Sequence, residues 1–260
     1  MSPHPLAFLP RLIAHRGASA DAPENTLAAL SLAADRGARM IEMDATVSAD
    51  GVAVVHHDFE LDRCTNGTGP IIQHTYEQLQ ALDCGAWFDK KYPDAPVKFA
   101  GEPLPTLAQA ARLILDRSMA LNLEIKPSLG WDEPTARVCA ETLAQVWPAD
   151  APIVVSSMSE RALGVFKAHA PQFPRGLITY AIPENWRERM TDLGCVSLHC
   201  SHFFATPGTI SEVQDAGYKI LAYTVNDTAE AKRLFDDGLD AVFTDRIGEM
   251  NPLYGAAAPA

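Results

Sequence analysis

At four places the sequence puts acids, bases or cations where a strand would be expected to carry apolar residues. They are His15-Arg16-Gly17, Glu42-Met43-Asp44, His57-Asp58 and Glu124-Ile125-Lys126. Glu42 and Asp44 are two apart, so on a strand both face the same side. Two like charges on one buried face repel unless a cation sits between them. Carboxylate oxygens are hard ligands and favour Mg²⁺, Ca²⁺ or Mn²⁺ over zinc. Glu124 offers a third carboxylate from a neighbouring strand. The competing reading is a structural ion network with Arg16, Arg39 or Lys126, and for one acid pair alone it is the better one. Three acids at adjacent strand ends, accompanied by two histidines, turn the balance toward a metal centre.

Histidine both gives and accepts a proton near neutral pH, so His15 and His57 suit a displacement with one base and one acid. His56 turns to the opposite strand face and reads as structural. The planar fork of Arg16 suits phosphate oxygens. Lys126 shares a face with Glu124; either cation could instead neutralise a carboxylate. His4, His74 and His169 have no partner nearby in sequence. His199 and His202 lie near a later strand end. For His199, which is within reach of the same site, the structural and functional readings are evenly matched. Tyr223 offers an apolar wall. Asn226 reads as a substrate contact or as a helix N-cap ahead of Thr228. Asp245 reads as a structural hydrogen-bond partner at the rim. No phosphate-binding glycine loop of the P-loop or GxGxxG type is present, which disfavours a nucleotide fold.

These residues need a frame. Strand-like runs at 12–14, 40–47, 52–56, 121–125, 152–156, 176–180, 196–199, 220–225 and 241–244 make nine candidates. Helical spacing covers 24–36, 107–115 with Thr106 as N-cap, 135–147 and 160–169. Further helices begin near Pro207 and Thr228 and stop at Gly217 and Gly238. Such alternation predicts parallel strands with crossover helices. One connection, Ser48-Ala49-Asp50-Gly51, is too short for a crossover of about a dozen residues. Asp50-Gly51 is a hairpin signal, so the third strand returns antiparallel. A turn at 49–51 sets His57 opposite about Glu42 to Asp44. The other eight strands make a (β/α)8 barrel, whose active site lies at the carboxyl ends of its strands. Residues 59–105 fit the repeat least well. With Trp87, Phe88, Tyr92 and four prolines from Pro93 to Pro105, they predict an inserted cap packed over the mouth. The tail from Gly255 to Ala260 predicts a frayed end.

The chain of 260 residues is 47 % hydrophobic and 21 % charged, which excludes a disordered polymer. It fits a single barrel domain, 1–260, with the insert at about 59–105. The net charge of −12 argues against nucleic-acid partners and against docking on anionic membrane. Five scattered cysteines suit neither a disulfide framework nor a zinc cluster and fit a reduced, cytoplasmic protein. No segment reads as a leader or a membrane span. Nothing in the sequence fixes the oligomeric state.

The motifs His15-Arg16-Gly17, Pro23-Glu24-Asn25-Thr26, Glu42-Met43-Asp44, His57-Asp58, Leu61-Asp62-Arg63, Leu123-Glu124-Ile125-Lys126-Pro127, Thr224-Val225-Asn226 and Thr244-Asp245 occur in that order. Together they resemble the glycerophosphodiester phosphodiesterase family, most of all its soluble, cytoplasmic bacterial branch, over about residues 11–250. The resemblance implies a phosphodiesterase barrel of the phospholipase C type that uses one divalent cation. It implies hydrolysis of glycerophosphodiesters to sn-glycerol 3-phosphate and an alcohol such as choline, ethanolamine or glycerol. By motif, Glu42, Asp44 and Glu124 would bind metal, His15 and His57 would be acid and base, and Arg16 and Lys126 would hold phosphoryl oxygens. It also implies attack by the glycerol 2-hydroxyl and a cyclic phosphate that water then opens. Which histidine is the base in the first step is left open. The chain departs from many relatives in carrying Tyr223 for Trp, and Ile247 for Pro after Thr244-Asp245. A second reading is a related barrel phospholipase acting on lysophospholipids or sphingolipids, with Trp87-Phe88-Tyr92 as its apolar entrance. A third is a non-catalytic metal- or glycerophosphodiester-binding protein, which should lack a catalytic histidine or carboxylate; none is missing.

Overall fold

Each apolar run becomes a strand because its two faces are covered differently. In the computed structural model, which describes residues 3–255, nine strands form one sheet. They are β1 (Leu12–His15), β2 (Met40–Val47), β3 (Ala53–Val55), β4 (Ala120–Ile125), β5 (Ile153–Ser157), β6 (Arg175–Thr179), β7 (Cys195–Ser201), β8 (Lys219–Tyr223) and β9 (Ala241–Thr244). The order runs β1-β9-β8-β7-β6-β5-β4-β2-β3, and a parallel β1–β2 pairing closes it. Eight parallel strands therefore form a closed (β/α)8 barrel. β3 lies antiparallel on β2 with Ala45 opposite Val55 and Val47 opposite Ala53. Continued one step, this register brings the His56 N–H onto the Asp44 carbonyl at 3.0 Å. The short hairpin does what its turn residues predict.

Alternation sorts the strand side chains into an outer and an inner set. On β2, Ile41, Met43 and Ala45 pack outward in the large cluster under the helices, while Met40 joins the inner one. That inner cluster also holds Ile13, Ala120, Val154, Leu221 and Ala241, and Leu6 and Leu9 of the N-terminal segment plug it. Farther along the same strands the inward positions turn polar: His15, Glu42, Asn122, Ser156 and His199. The barrel interior thus has an apolar base and a polar top, and the polar top is where barrel sites lie.

Helix starts follow their caps. Thr106 and Gln109 form a capping box at Leu107–Asp116, and Thr206 does the same with Thr209 at Pro207–Asp215. The expected helix from Glu24 begins only at Leu27, capped by Thr26. Glu24 and Asn25 stay outside it, Asn25 with φ +60°. The helix expected from Thr135 starts earlier, at Asp132, with Pro134 in its tolerant first turn. Asn226 caps nothing; Asp227 caps the helix Thr228–Asp236 by accepting from the Glu230 N–H. Helices Trp186–Leu193 and Ile247–Tyr254 were not expected.

Residues 59–105 hold two short helices, Tyr76–Gln80 and Ala86–Lys91, over an apolar cluster of Leu61, Ile71, Leu79, Cys84 and Leu104 that β3 joins through Val54. Phe88 is buried among Trp87, Tyr92 and Phe99. Gly85 is required there, because a Cβ would come within 1.6 Å of the Phe99 carbonyl oxygen. Phe88 thus packs within the insert, while Trp87 and Tyr92 line a second cavity shared with His15, Arg16 and Glu24. Of the expected frayed tail, residues 256–260 lie outside the described residues. Among the described residues no helix is long and apolar enough to cross a membrane. All five cysteines are buried free thiols.

Candidate active site

A cavity of about 270 Å³ opens at the carboxyl ends of the strands. His15, Arg16, Glu42, His57, Glu124 and Lys126 line its charged side, and Met158, Ile178, Tyr223 and Phe243 its apolar side. Asp44 is almost fully buried, with a carboxylate oxygen within 4.8 Å of those offered by Glu42 and Glu124. The strand ends thus bring all the sequence-derived candidates to one place, His199 and Tyr223 included.

The carboxylate trio carries its strain openly. Burial, with Asp44 and Glu124 close by, pushes the Glu42 carboxyl well above the usual range. Burial and Asp44 push Glu124 up to about 7. Asp44 goes the other way. Burial disfavours its charge, but Arg16, His57 and Lys126 around it, and the Asn25 amide, hold it low. The Glu42 Oε1 atom is buried with no hydrogen-bond partner among the described residues. Three clustered hard oxygen ligands, one with an unused lone pair and two resisting ionisation, fit a divalent cation.

The loop after β1 is bent to serve this trio. Arg16 has φ +56°, a conformation that costs a non-glycine residue and gathers at functional sites. In return its N–H donates to Glu42 Oε2 at 2.9 Å, its Nη1 donates to Glu24 at 2.7 Å and its Nε stands 3.3 Å from Asp44. Burial opposes the charge of Arg16, but Asp44, Glu24 and Glu42 together raise its pKa. Gly17, at φ +84°, lets the loop press on the first helix, since a Cβ would lie 2.6 Å from the Ala29 carbonyl carbon. Asn25 donates to Asp44 Oδ2 at 2.9 Å and accepts from the Asp44 N–H at 3.1 Å. Lys126 Nζ stands 3.0 Å from Glu124 and 3.9 Å from Asp44.

Both histidines are oriented through Nδ1, which leaves Nε2 for the cavity. His15 Nδ1 is 2.7 Å from Asp245 Oδ1, and Asp245 is itself held by Ser19 at 2.9 Å and Asn226 at 2.6 Å. His57 Nδ1 is 2.6 Å from Asp58 Oδ1. Burial lowers the His57 pKa, and Asp44 and Asp58 partly restore it. Asp245 is thus a rim hydrogen-bond partner, as expected, and its partner is the candidate acid–base residue. His56 is buried with Nε2 at 3.1 Å from the Glu60 carbonyl. His199 is buried beside Ser197 Oγ at 2.9 Å, and burial depresses its pKa to about 3, so it is neutral. Gly176 makes room for it: a Cβ would stand 2.7 Å from both His199 Nε2 and Ser197 Oγ. The Tyr223 hydroxyl donates to the Thr179 carbonyl at 2.9 Å, which fixes its ring as a cavity wall.

Glu24, Asn25, Asp58 and Arg63 join the site although their residue types alone do not mark them. Asp58 had a signal, its adjacency to His57. The others had only their place in the ordered motifs.

Comparison with known proteins agrees with this geometry. The profile of the glycerophosphoryl diester phosphodiesterase family matches residues 15–249. A glycerophosphodiester phosphodiesterase of Caldanaerobacter subterraneus is 33 % identical, over 90 % of this chain and 93 % of its own. The structure of an Oleispira antarctica phosphodiesterase in complex with the product sn-glycerol 3-phosphate superposes with a TM-score of 0.90, at 41 % identity, over 95 % of this chain and 98 % of that one. A glycerophosphodiester phosphodiesterase of Agrobacterium tumefaciens gives a TM-score of 0.79 at 28 % identity, over 94 % of this chain and all of its own (100 %). With its barrel, its histidine pair and its acidic trio, the chain belongs to the glycerophosphoryl diester phosphodiesterase family of enzymes.

Proposed function

We propose that this enzyme hydrolyses water-soluble glycerophosphodiesters, such as glycerophosphocholine and glycerophosphoethanolamine, to sn-glycerol 3-phosphate and the free alcohol. One observation carries the reading. Two histidines, each with Nδ1 on its own carboxylate, line the same cavity as Arg16, Lys126, Glu42 and Glu124, and Asp44 behind them completes a trio of carboxylates suited to one divalent cation. The Oleispira relative supports it, because its bound product is sn-glycerol 3-phosphate.

Glu42, Asp44 and Glu124 would hold the cation, Mg²⁺ or Ca²⁺ by ligand hardness and Mn²⁺ as a further candidate. Such an ion supplies positive charge beside the phosphoryl oxygens. Arg16 and Lys126 orient the phosphodiester from the same side. One histidine takes the proton of the glycerol 2-hydroxyl as that oxygen bonds to phosphorus. The other protonates the departing alcohol oxygen as its bond to phosphorus breaks. Water then adds to the cyclic phosphate, the bond from O2 to phosphorus breaks, and the two histidines exchange roles. Charge builds on the equatorial oxygens, where fixed cations act most strongly. The barrel and its insert act as one catalytic domain, and the free thiols fit a cytoplasmic setting.

One observation favours a second reading. Met158, Tyr180 and Phe203 are 51 %, 60 % and 73 % exposed. They follow β5, β6 and β7, and Met158 also lines the cavity. This rim would accept the acyl chain that a lysophospholipid carries on its glycerol. The two readings separate in one assay: release of choline from glycerophosphocholine, which leaves sn-glycerol 3-phosphate, compared with release of choline from lysophosphatidylcholine, which leaves lysophosphatidic acid. Each substrate is tested with chelator and after returning Mg²⁺ or Ca²⁺. The first reading expects faster turnover of the soluble diester, loss with chelator and recovery with metal. Full activity after exhaustive metal removal would overturn the metal assignment.

A further inference from the structure

Arg63 lies outside the cavity, on the insert, and is half exposed. A surface arginine in an ordinary ion pair contributes little, but bidentate networks are the exception. Its guanidinium is shared between two carboxylates. Nε and Nη2 donate to Asp58 at 2.5 and 3.0 Å, and Nη1 and Nη2 donate to Glu24 at 2.7 and 2.8 Å. Each carboxylate in turn holds a group of the site. Asp58 holds the His57 imidazole at 2.6 Å, and Glu24 accepts from Arg16 Nη1 at 2.7 Å. Five residues from three segments form one unbroken chain: His57, Asp58, Arg63, Glu24, Arg16. Its centre is the only member carried by the insert proper.

We infer that Arg63 is a positioning residue, which clamps Asp58 and Glu24 in one planar fork and so sets His57 and Arg16 relative to each other. The inference rests on the proposed roles of those two groups. A displacement of about 1 Å in a reacting group can cost about 10²-fold in rate. A lysine keeps the charge but cannot make both forks, so it replaces Arg63 poorly. The clamp also gives the insert a part in turnover, because it ties this appendage to the loops after β1 and β3.

The test compares wild type, Arg63→Ala and Arg63→Lys as metal-loaded proteins, with glycerophosphocholine as substrate and low guanidinium chloride as an added variable. Arg63→Ala should lower kcat by about 10²-fold and raise KM, and Arg63→Lys should recover only part of this. Added guanidinium should speed the alanine variant and leave wild type unchanged. In an Asp58→Asn background, Arg63→Ala should change kcat by no more than about twofold while still raising KM. A folded Arg63→Ala enzyme with wild-type kcat and KM overturns the inference, as does an equal kcat loss with and without Asp58. Should the alanine variant not fold, wild-type kcat in Arg63→Lys gives the same contradiction. If wild type itself does not turn over the diester, the functional reading fails and the clamp is tested by NMR. The proton between His57 Nδ1 and Asp58 should resonate far downfield in wild type and disappear in the Arg63 variants; its persistence overturns the clamp.

Discussion

The two halves of the barrel mouth are built on opposite plans. The half formed by β1 to β4 is charged and interlocked. Glu24 is bound by two arginines, Asp44 by an arginine and an asparagine, and Glu124 by a lysine. The half formed by β5 to β8 is apolar and loosely covered, and Tyr180 touches Phe204 edge to face at 5.4 Å. The difference separates two tasks that a phosphodiesterase must perform. On the proposed function, the charged half would hold the phosphodiester and the reacting groups, and the apolar half would offer only contact area to the rest of the substrate. Preorganised dipoles act on developing charge; apolar contact acts on binding in proportion to buried area.

The largest break in this division should come from the charged half. His15→Ala and His57→Ala should each lower kcat by about 10²- to 10⁴-fold, the usual worth of a general acid or base, with unfolding temperatures near wild type. Steady-state kinetics beside a thermal melt checks this, and an unchanged rate in either variant removes that histidine from the mechanism. Next comes the framework of the apolar half, between β6 and β7. Gly176→Ala should cost about 1–3 kcal/mol by overpacking, because its methyl would strike His199 and Ser197; chemical denaturation reads the loss, and wild-type stability would show that His199 can move aside.

A smaller effect concerns pH. Burial holds the His57 pKa below 6.5, so its limb of the kcat/KM profile, the acid limb where His57 is the base and the alkaline limb where it is the acid, should fall below 6.5. Asp58 raises that pKa, so Asp58→Asn should move the limb lower still. A limb that moves upward in this variant would contradict the role of Asp58 at His57. The smallest change is expected at the rim. Phe203→Ser, at an exposed site, should alter stability by no more than about 0.5 kcal/mol. It should leave turnover of glycerophosphocholine unchanged while weakening an acyl-chain substrate. Equal weakening of both would erase the distinction between the halves.

The charged half was largely legible in the sequence, and for a physical reason. A period of two puts Glu42 and Asp44 on one face, and the Asp50-Gly51 turn fixes where His57 lands. Parallel register carries Asp44 beside Glu124. What did not show is what depends on distance along the chain or on backbone conformation. Arg63 reaches Glu24 across 39 residues, and no local pattern announces such a pair. The positive φ of Arg16 and Asn25 is imposed by the hydrogen bonds they make. Helix Trp186–Leu193 escaped because Arg187, Glu188 and Arg189 interrupt its apolar spacing. The exposed rim escaped because single apolar residues in three different loops have no common period.

The most direct measurement of the central claim is a ³¹P NMR time course of metal-loaded enzyme with glycerophosphocholine, beside a chelated sample. The account predicts that the diester signal gives way to glycerol 3-phosphate, with no turnover in the chelated sample. Phosphocholine as the product, or equal turnover in both samples, would contradict it.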